Sequence, residues 1–136
     1  MTKRIWIPVT LALSVGMAAG VAVGRGLGAQ QTPVTRRVVL TTDSPGSTTH
    51  EMVMAVVDIV PGGSSGKHRH PGVEVGYVLE GTLEVERPGQ PNETVQAGQS
   101  FKNDGIHNAM NKTQRPTKIL AVFAVEKGKP MTEAVP

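Results

Sequence analysis

The chain contains no cysteine. That excludes disulfides, thiolate metal sites, a cysteine nucleophile and lipid attachment at an N-terminal cysteine. Aromatic residues are scarce. Beyond the first segment there are only Tyr77, Phe101 and Phe123. Each is expected in the core, and so few rings favour a small polar or aliphatic ligand over a large flat one. No run of lysine and arginine with interleaved aromatics occurs. Lys3, Arg4 and Arg25 supply the whole formal charge of +3, and from Gln30 onward 11 basic residues face 11 acidic ones. The basic balance thus belongs to the first segment and gives no support for nucleic-acid binding. Arg36-Arg37, the nearest basic pair, reads as a solvated strand start. No amphipathic helix is visible after the first segment, and no internal repeat.

The 136 residues allow one domain, not two. Lys3 and Arg4 precede an apolar run from Ile5 to about Val23, followed by GRGLGAQQTP. A positive start, an apolar middle and a small-residue exit form the layout of a secretory signal peptide. Leu27 and Ala29 suit cleavage after Ala29. The run also approaches the roughly 17–25 residues that cross a bilayer. Residues 1–29 are therefore a cleaved signal peptide or an uncleaved anchor. The first places the protein in the periplasm or outside the cell, the second on the inner membrane. Residues 30–125 form the domain, and 126–136, polar with two prolines, are expected as a flexible tail.

The domain reads as short strands between glycine-rich turns, an all-β pattern. Arg36–Thr42 and Glu51–Val60 are strands, with Val53, Ala55, Val57 and Ile59 sharing one face of the second. Its other face, Met52, Met54 and Val56, is also largely apolar, as in a strand covered on both sides. His50 sits before this strand and reads as solvated. Glu74–Leu79, Leu83–Glu86, Thr94-Val95 and Thr117–Val125 follow as strands. Glu84 and Glu86 read as an outer polar face. Ser100-Phe101 and Ile106-His107 flank Asn103-Asp104-Gly105, which predicts a tight hairpin.

Pro61 to Gly81, PGGSSGKHRHPGVEVGYVLEG, carries the chemistry. His68 and His70 are one residue apart, so in an extended segment both imidazoles point to one side. Glu74 adds a hard anionic oxygen. Two imidazoles and a carboxylate suit a first-row transition metal. The Pro71-Gly72 turn breaks strand parity before Glu74, so alternation alone does not carry Glu74 to the imidazoles.

Gly62, His68, His70, Glu74 and Gly81 spell G-x5-H-x-H-x3-E-x6-G. This resembles the first signature of the cupin superfamily at every fixed position. The second signature, G-x5-P-x-G-x2-H-x3-N, is matched in part by Gly98, His107 and Asn111. The Gly98–His107 interval is two residues shorter than usual, and Asp104-Gly105 stands where P-x-G would be. The resemblance covers about Arg36 to Val125. It implies a jelly-roll-like cupin β-barrel of two antiparallel sheets. It also implies one divalent transition metal held by His68, His70, His107 and Glu74. Fe, Mn or Ni are favoured, and Zn, Co or Cu are compatible. Glu74 would serve as a ligand or as a catalytic base, and Asn111 as a structural residue. A small dioxygenase-like enzyme acting on an oxygen-chelating molecule is one implied function, with isomerase or lyase chemistry as variants. A non-catalytic binding or sensing module is the other. Lys102 and Asp104 lie near the expected mouth, where turn and surface roles are expected of them. Cupins commonly pair as homodimers through outer sheet faces or an exchanged N-terminal strand.

Overall fold

The computed structural model describes residues 33–136, and the leader segment lies outside them. The described residues are all β-structure. The strands are β1 (Val34–Asp43), β2 (His50–Ile59), β3 (His68–Arg69), β4 (Gly72–Glu80) and β5 (Thr82–Glu86). They continue as β6 (Glu93–Gln96), β7 (Ser100–Asn103), β8 (Asn108–Met110), β9 (Thr117–Glu126) and β10 (Glu133–Ala134). A five-stranded sheet has the order β1-β2-β9-β4-β7 and faces a three-stranded sheet, β6-β5-β8. The two antiparallel sheets form the expected cupin-type barrel.

Alternation decides what lies between them. Val53, Ala55, Val57 and Ile59 of β2 are buried, as are Ile119, Ala121, Phe123 and Val125 of β9. Leu83 and Val85 of β5 and Val95 of β6 close the core from the opposite sheet. Fully burying side chains of this size stabilises the fold by about 1.5–3 kcal/mol each. Gly76 of β4 lies opposite Phe101 of β7. A Cβ on Gly76 would meet Phe101 Cζ at 2.2 Å, so the missing side chain makes room for the ring. Gly81 turns β4 into β5 with φ of 78°, where a side chain would also strike the Pro116 carbonyl.

Three expectations are corrected. Ser100–Asn103 and Asn108–Met110 do not form a hairpin. The first pairs with β4 and the second with β5, in different sheets. Asp104-Gly105 is therefore a crossover between sheets, which a local turn signal does not distinguish from a hairpin. The segment 126–136, expected as a flexible tail, returns to the barrel: Glu133 and Ala134 pair with Arg69 and His68. An Arg69 Nε to Glu133 Oε2 bond of 2.8 Å reinforces that ladder. Tyr77, expected in the core, is 47% exposed, because it lies on the outer face of β4. Arg36 is exposed, as expected of a solvated strand start. It pairs in register with Val57, whose side chain points into the barrel. Directly opposed residues share a face, so Arg36 stands on the inner side of an edge strand.

Candidate metal centre

His68 opens β3, and His70 follows it by the two-residue step that keeps both side chains on one face. His68 is 5% and His70 8% exposed, while Arg69 between them faces solvent. His107 arrives from the β7–β8 crossover, 2% exposed. The ligating ring nitrogens of the three histidines lie within 4.8 Å of one another. Ligands bound at about 2.0–2.1 Å from an ion stand roughly 3–4 Å apart, so a small contraction would seat one.

Each imidazole is oriented by a backbone carbonyl. Nδ1 of His68 donates to Gly66 O (2.9 Å), that of His107 to Gly105 O (2.9 Å), and that of His70 to Met131 O (2.6 Å). A carbonyl only accepts, so Nδ1 carries the hydrogen in every ring and Nε2 presents a lone pair. This is the outer-shell arrangement that fixes metal-binding imidazoles. Among the described residues His70 Nε2 is buried with no hydrogen-bond partner, its nearest carboxylate oxygen being Glu74 Oε2 at 3.5 Å. Three lone pairs converging in a buried space repel each other unless a cation sits between them. The donor set therefore fits a divalent transition ion.

Glu74 comes from β4, on the same inward face as Val78. Its register partners are Phe123 on one side and Asn103 on the other. Its Oε2 lies 3.3 Å from His107 Nε2 and 3.5 Å from His70 Nε2. Asn103, 2% exposed, donates Nδ2 to the same oxygen at 2.8 Å. Burial opposes ionisation of Glu74. Contacts from His107 and His70, where Nε2 carries a proton in place of a metal, and the hydrogen bond from Asn103 outweigh it and hold the carboxyl well below the usual carboxylate range. Burial, with the neighbouring His107 and His70, lowers the pKa of His68 despite the carbonyl bond.

Beside His68, Glu74 and His107 is a cavity of about 30 Å³. Its apolar walls include Val57, Ile59, Phe101 and Ile119. Arg36, Val34, Ser65 and His68 also line a more open groove of about 210 Å³. A larger cleft of about 320 Å³ near Arg87 and Asp104 contains none of the three imidazoles.

The structure thus brings His68, His70, Glu74 and His107 together. Asn111 has the structural role expected: its Nδ2 donates to Ile59 O (3.1 Å) and Arg115 O (2.7 Å). Lys102 and Asp104 form an exposed ion pair of 2.6 Å and line no part of the imidazole cavity. His50 bonds Thr49 Oγ1 at 3.0 Å at the start of β2. Sequence reasoning missed three participants: Asn103, Arg36 and the Met131 carbonyl. For Asn103 the signal was there, since it follows inward Phe101 by two positions. The Met131 carbonyl left no side-chain trace.

Residues 55–123 match the family described as Cupin domain. The chain belongs to the cupin family. Comparison with the curated proteins gives no match. Among solved structures, this cupin is similar to an uncharacterized conserved protein with a double-stranded beta-helix domain from Klebsiella pneumoniae subsp. pneumoniae MGH 78578. The identity is 24%, over 78% of this chain and 90% of that one, with a TM-score of 0.62. It is also similar to an oxalate oxidase in complex with the substrate analogue glycolate. That match has 27% identity and a TM-score of 0.54, over 62% of this chain but only 46% of the other. The polyketide cyclase RemF from Streptomyces resistomycificus shares 23% identity over 76% of this chain and 72% of its own, with a TM-score of 0.59. Such low identities speak for the fold, which hosts unrelated activities.

Proposed function

We propose that this protein is an exported, metal-dependent cupin that acts on a small oxygen-chelating molecule in a dioxygenase-like reaction. The observation that carries the reading is the three buried imidazoles, each with Nδ1 tied to a carbonyl and Nε2 turned inward. His68, His70, His107 and Glu74 would hold one divalent ion, with Fe, Mn or Ni favoured. When bound, such an ion supplies Lewis acidity or redox chemistry. The chain's own residues do the rest. The carbonyl bonds keep the rings from turning, and the apolar walls of Val57, Ile59 and Phe101 keep water scarce beside them. Glu74, ionised and anchored by Asn103, either completes the ligand set or accepts a proton from the bound molecule. Export rests on the leader sequence.

A non-catalytic binding module is the second reading, and one dimension favours it: the cavity beside the ligands holds only about 30 Å³. The test is reconstitution with Fe(II), Mn(II) or Ni(II), followed by oxygen-uptake assays over enediols, diketones and catechols. Turnover that disappears in Glu74→Gln supports the enzyme. A retained ion with no turnover on any member of the panel supports the binding module.

We also propose a homodimer formed through the outer face of the large sheet. Val73, Val75, Tyr77 and Leu79 of β4 are all exposed there, alternating with inward-facing Glu74, Gly76 and Val78. A second copy would present the same apolar stripe, as a two-fold interface requires.

A further inference from the structure

Arg36 is a cation set at the mouth of the imidazole cavity with no ion-pair partner among the described residues. It stands on the inner side of β1, an edge strand, opposite Val57. Its guanidinium carbon lies 5.4 Å from the centre of the Phe123 ring, and the same ring packs 4.8 Å from His70. Arg36 lines both the inner cavity, with His68, Glu74 and His107, and the groove that opens from it. One of its donors is used: Nη1 donates to Thr132 Oγ1 at 3.0 Å. No ion pair among the described residues includes Arg36. The segment outside them, 1–32, contains no aspartate or glutamate. Among the described residues no carboxylate pairs with this guanidinium, which keeps several donors in a fork that matches one. Glu74 acts on it only through space, and the side chain stays open to solvent at the groove.

We propose that Arg36 is the anion anchor of the site, and that the ligand is a small carboxylate bearing a second oxygen donor, such as an α-hydroxy or α-keto acid. This rests on the metal-centre reading above and names its substrate class. The carboxylate pairs with the guanidinium in the groove, and the second oxygen points toward the imidazoles. The groove, about 210 Å³, falls short of the roughly 300–1,000 Å³ of pockets for drug-sized ligands. It suits a molecule of a few carbons. Thr132, from the returning C-terminal segment, holds the guanidinium over the opening.

The experiment is calorimetric titration of glycolate, and of its neutral amide glycolamide, into Mn(II)-loaded wild type, Arg36→Met and Arg36→Lys. Both probes offer the same pair of oxygens, and only one is charged. The wild type is expected to favour glycolate by about tenfold or more. Arg36→Met is expected to lose about that factor for glycolate alone, with Mn(II) affinity and melting temperature unchanged, and Arg36→Lys to recover part of it. An inward charge on an edge strand can also serve to block edge-to-edge pairing. That role leaves glycolate affinity equal in wild type and Arg36→Met, and this result overturns the proposal. Arg36→Gln replaces the methionine variant if that one aggregates. If wild type takes up no Mn(II), the metal-centre reading fails, and the titrations are read on metal-free protein. There, glycolate binding that is lost in Arg36→Met upholds the anchor. Equal binding in both, or none in either, overturns it.

Discussion

His68 and His107 face each other across a single antiparallel bridge, each backbone N–H donating to the other's carbonyl, at 3.0 and 2.9 Å. Their rings are 4.3 Å apart, centre to centre. Two imidazoles distant in sequence are thus fixed by main-chain bonds rather than by the packing of their own side chains. An ion need not draw the loops together, because the backbone has already done so.

The returning C-terminal segment is part of the centre. Among the described residues its Met131 carbonyl is the hydrogen-bond partner of the His70 ring, and β10 braces β3. Truncation after Pro130 is expected to leave the barrel folded and to weaken metal binding by about 10–100-fold, the usual cost of losing an outer-shell partner. Competition titration with a chelator, alongside circular dichroism, checks both halves.

Asn103 tethers Glu74 and in turn accepts from Arg87 Nε at 3.1 Å. Asn103→Ala should cost about 1–3 kcal/mol in urea denaturation, since it strips buried partners from both sides. Asn103→Asp places a second carboxylate against Glu74. It should be more destabilising at pH 7 than at pH 4, where a proton can be shared. Equal losses at the two pH values would show that the pair does not meet as described.

Acid should loosen the metal-free protein by two groups acting with the same sign. His68 has a folded pKa below its ordinary value of 6.5, and Glu74 one below 4.5. In both cases the unfolded chain binds protons more readily. The stability they contribute is complete above those ordinary values and is lost as pH falls through the folded ones. Melting temperature against pH should therefore decline below 6.5 and again below 4.5, and His68→Gln should flatten the first decline.

The dimer proposal predicts that Tyr77→Lys, on the outer face of β4, gives a monomer without loss of fold. Sedimentation velocity reads the mass directly. A wild type that is already monomeric removes the proposal.

The strands of the large sheet were legible because their alternation is strict. In β2 and β9 every second residue from Val53 to Ile59 and from Thr117 to Val125 is buried. The convergence of His68, His70 and Glu74 was legible from their spacing, and the H-x3-N ending located His107 despite the shortened interval before it. What was not legible depends on long-range pairing. Asp104-Gly105 has the local chemistry of a hairpin, and only the partners of β7 and β8 make it a crossover. Tyr77 looked like core because it is one of only three aromatic residues after the first segment and stands among valines and a leucine. The polar tail docks through main-chain groups, which no side chain advertises. Arg36 is exposed as its charge suggested, and what the sequence does not show is which face of an edge strand it occupies.

The central claim is that His68, His70 and His107 grip one divalent ion. The direct test is elemental analysis of wild type and of the His68→Ala/His107→Ala double variant, after exposure to Fe(II), Mn(II) and Ni(II) and exhaustive dialysis. The account predicts about one ion per chain in wild type and almost none in the variant. Wild type that retains no metal, or a variant that retains as much, would contradict it.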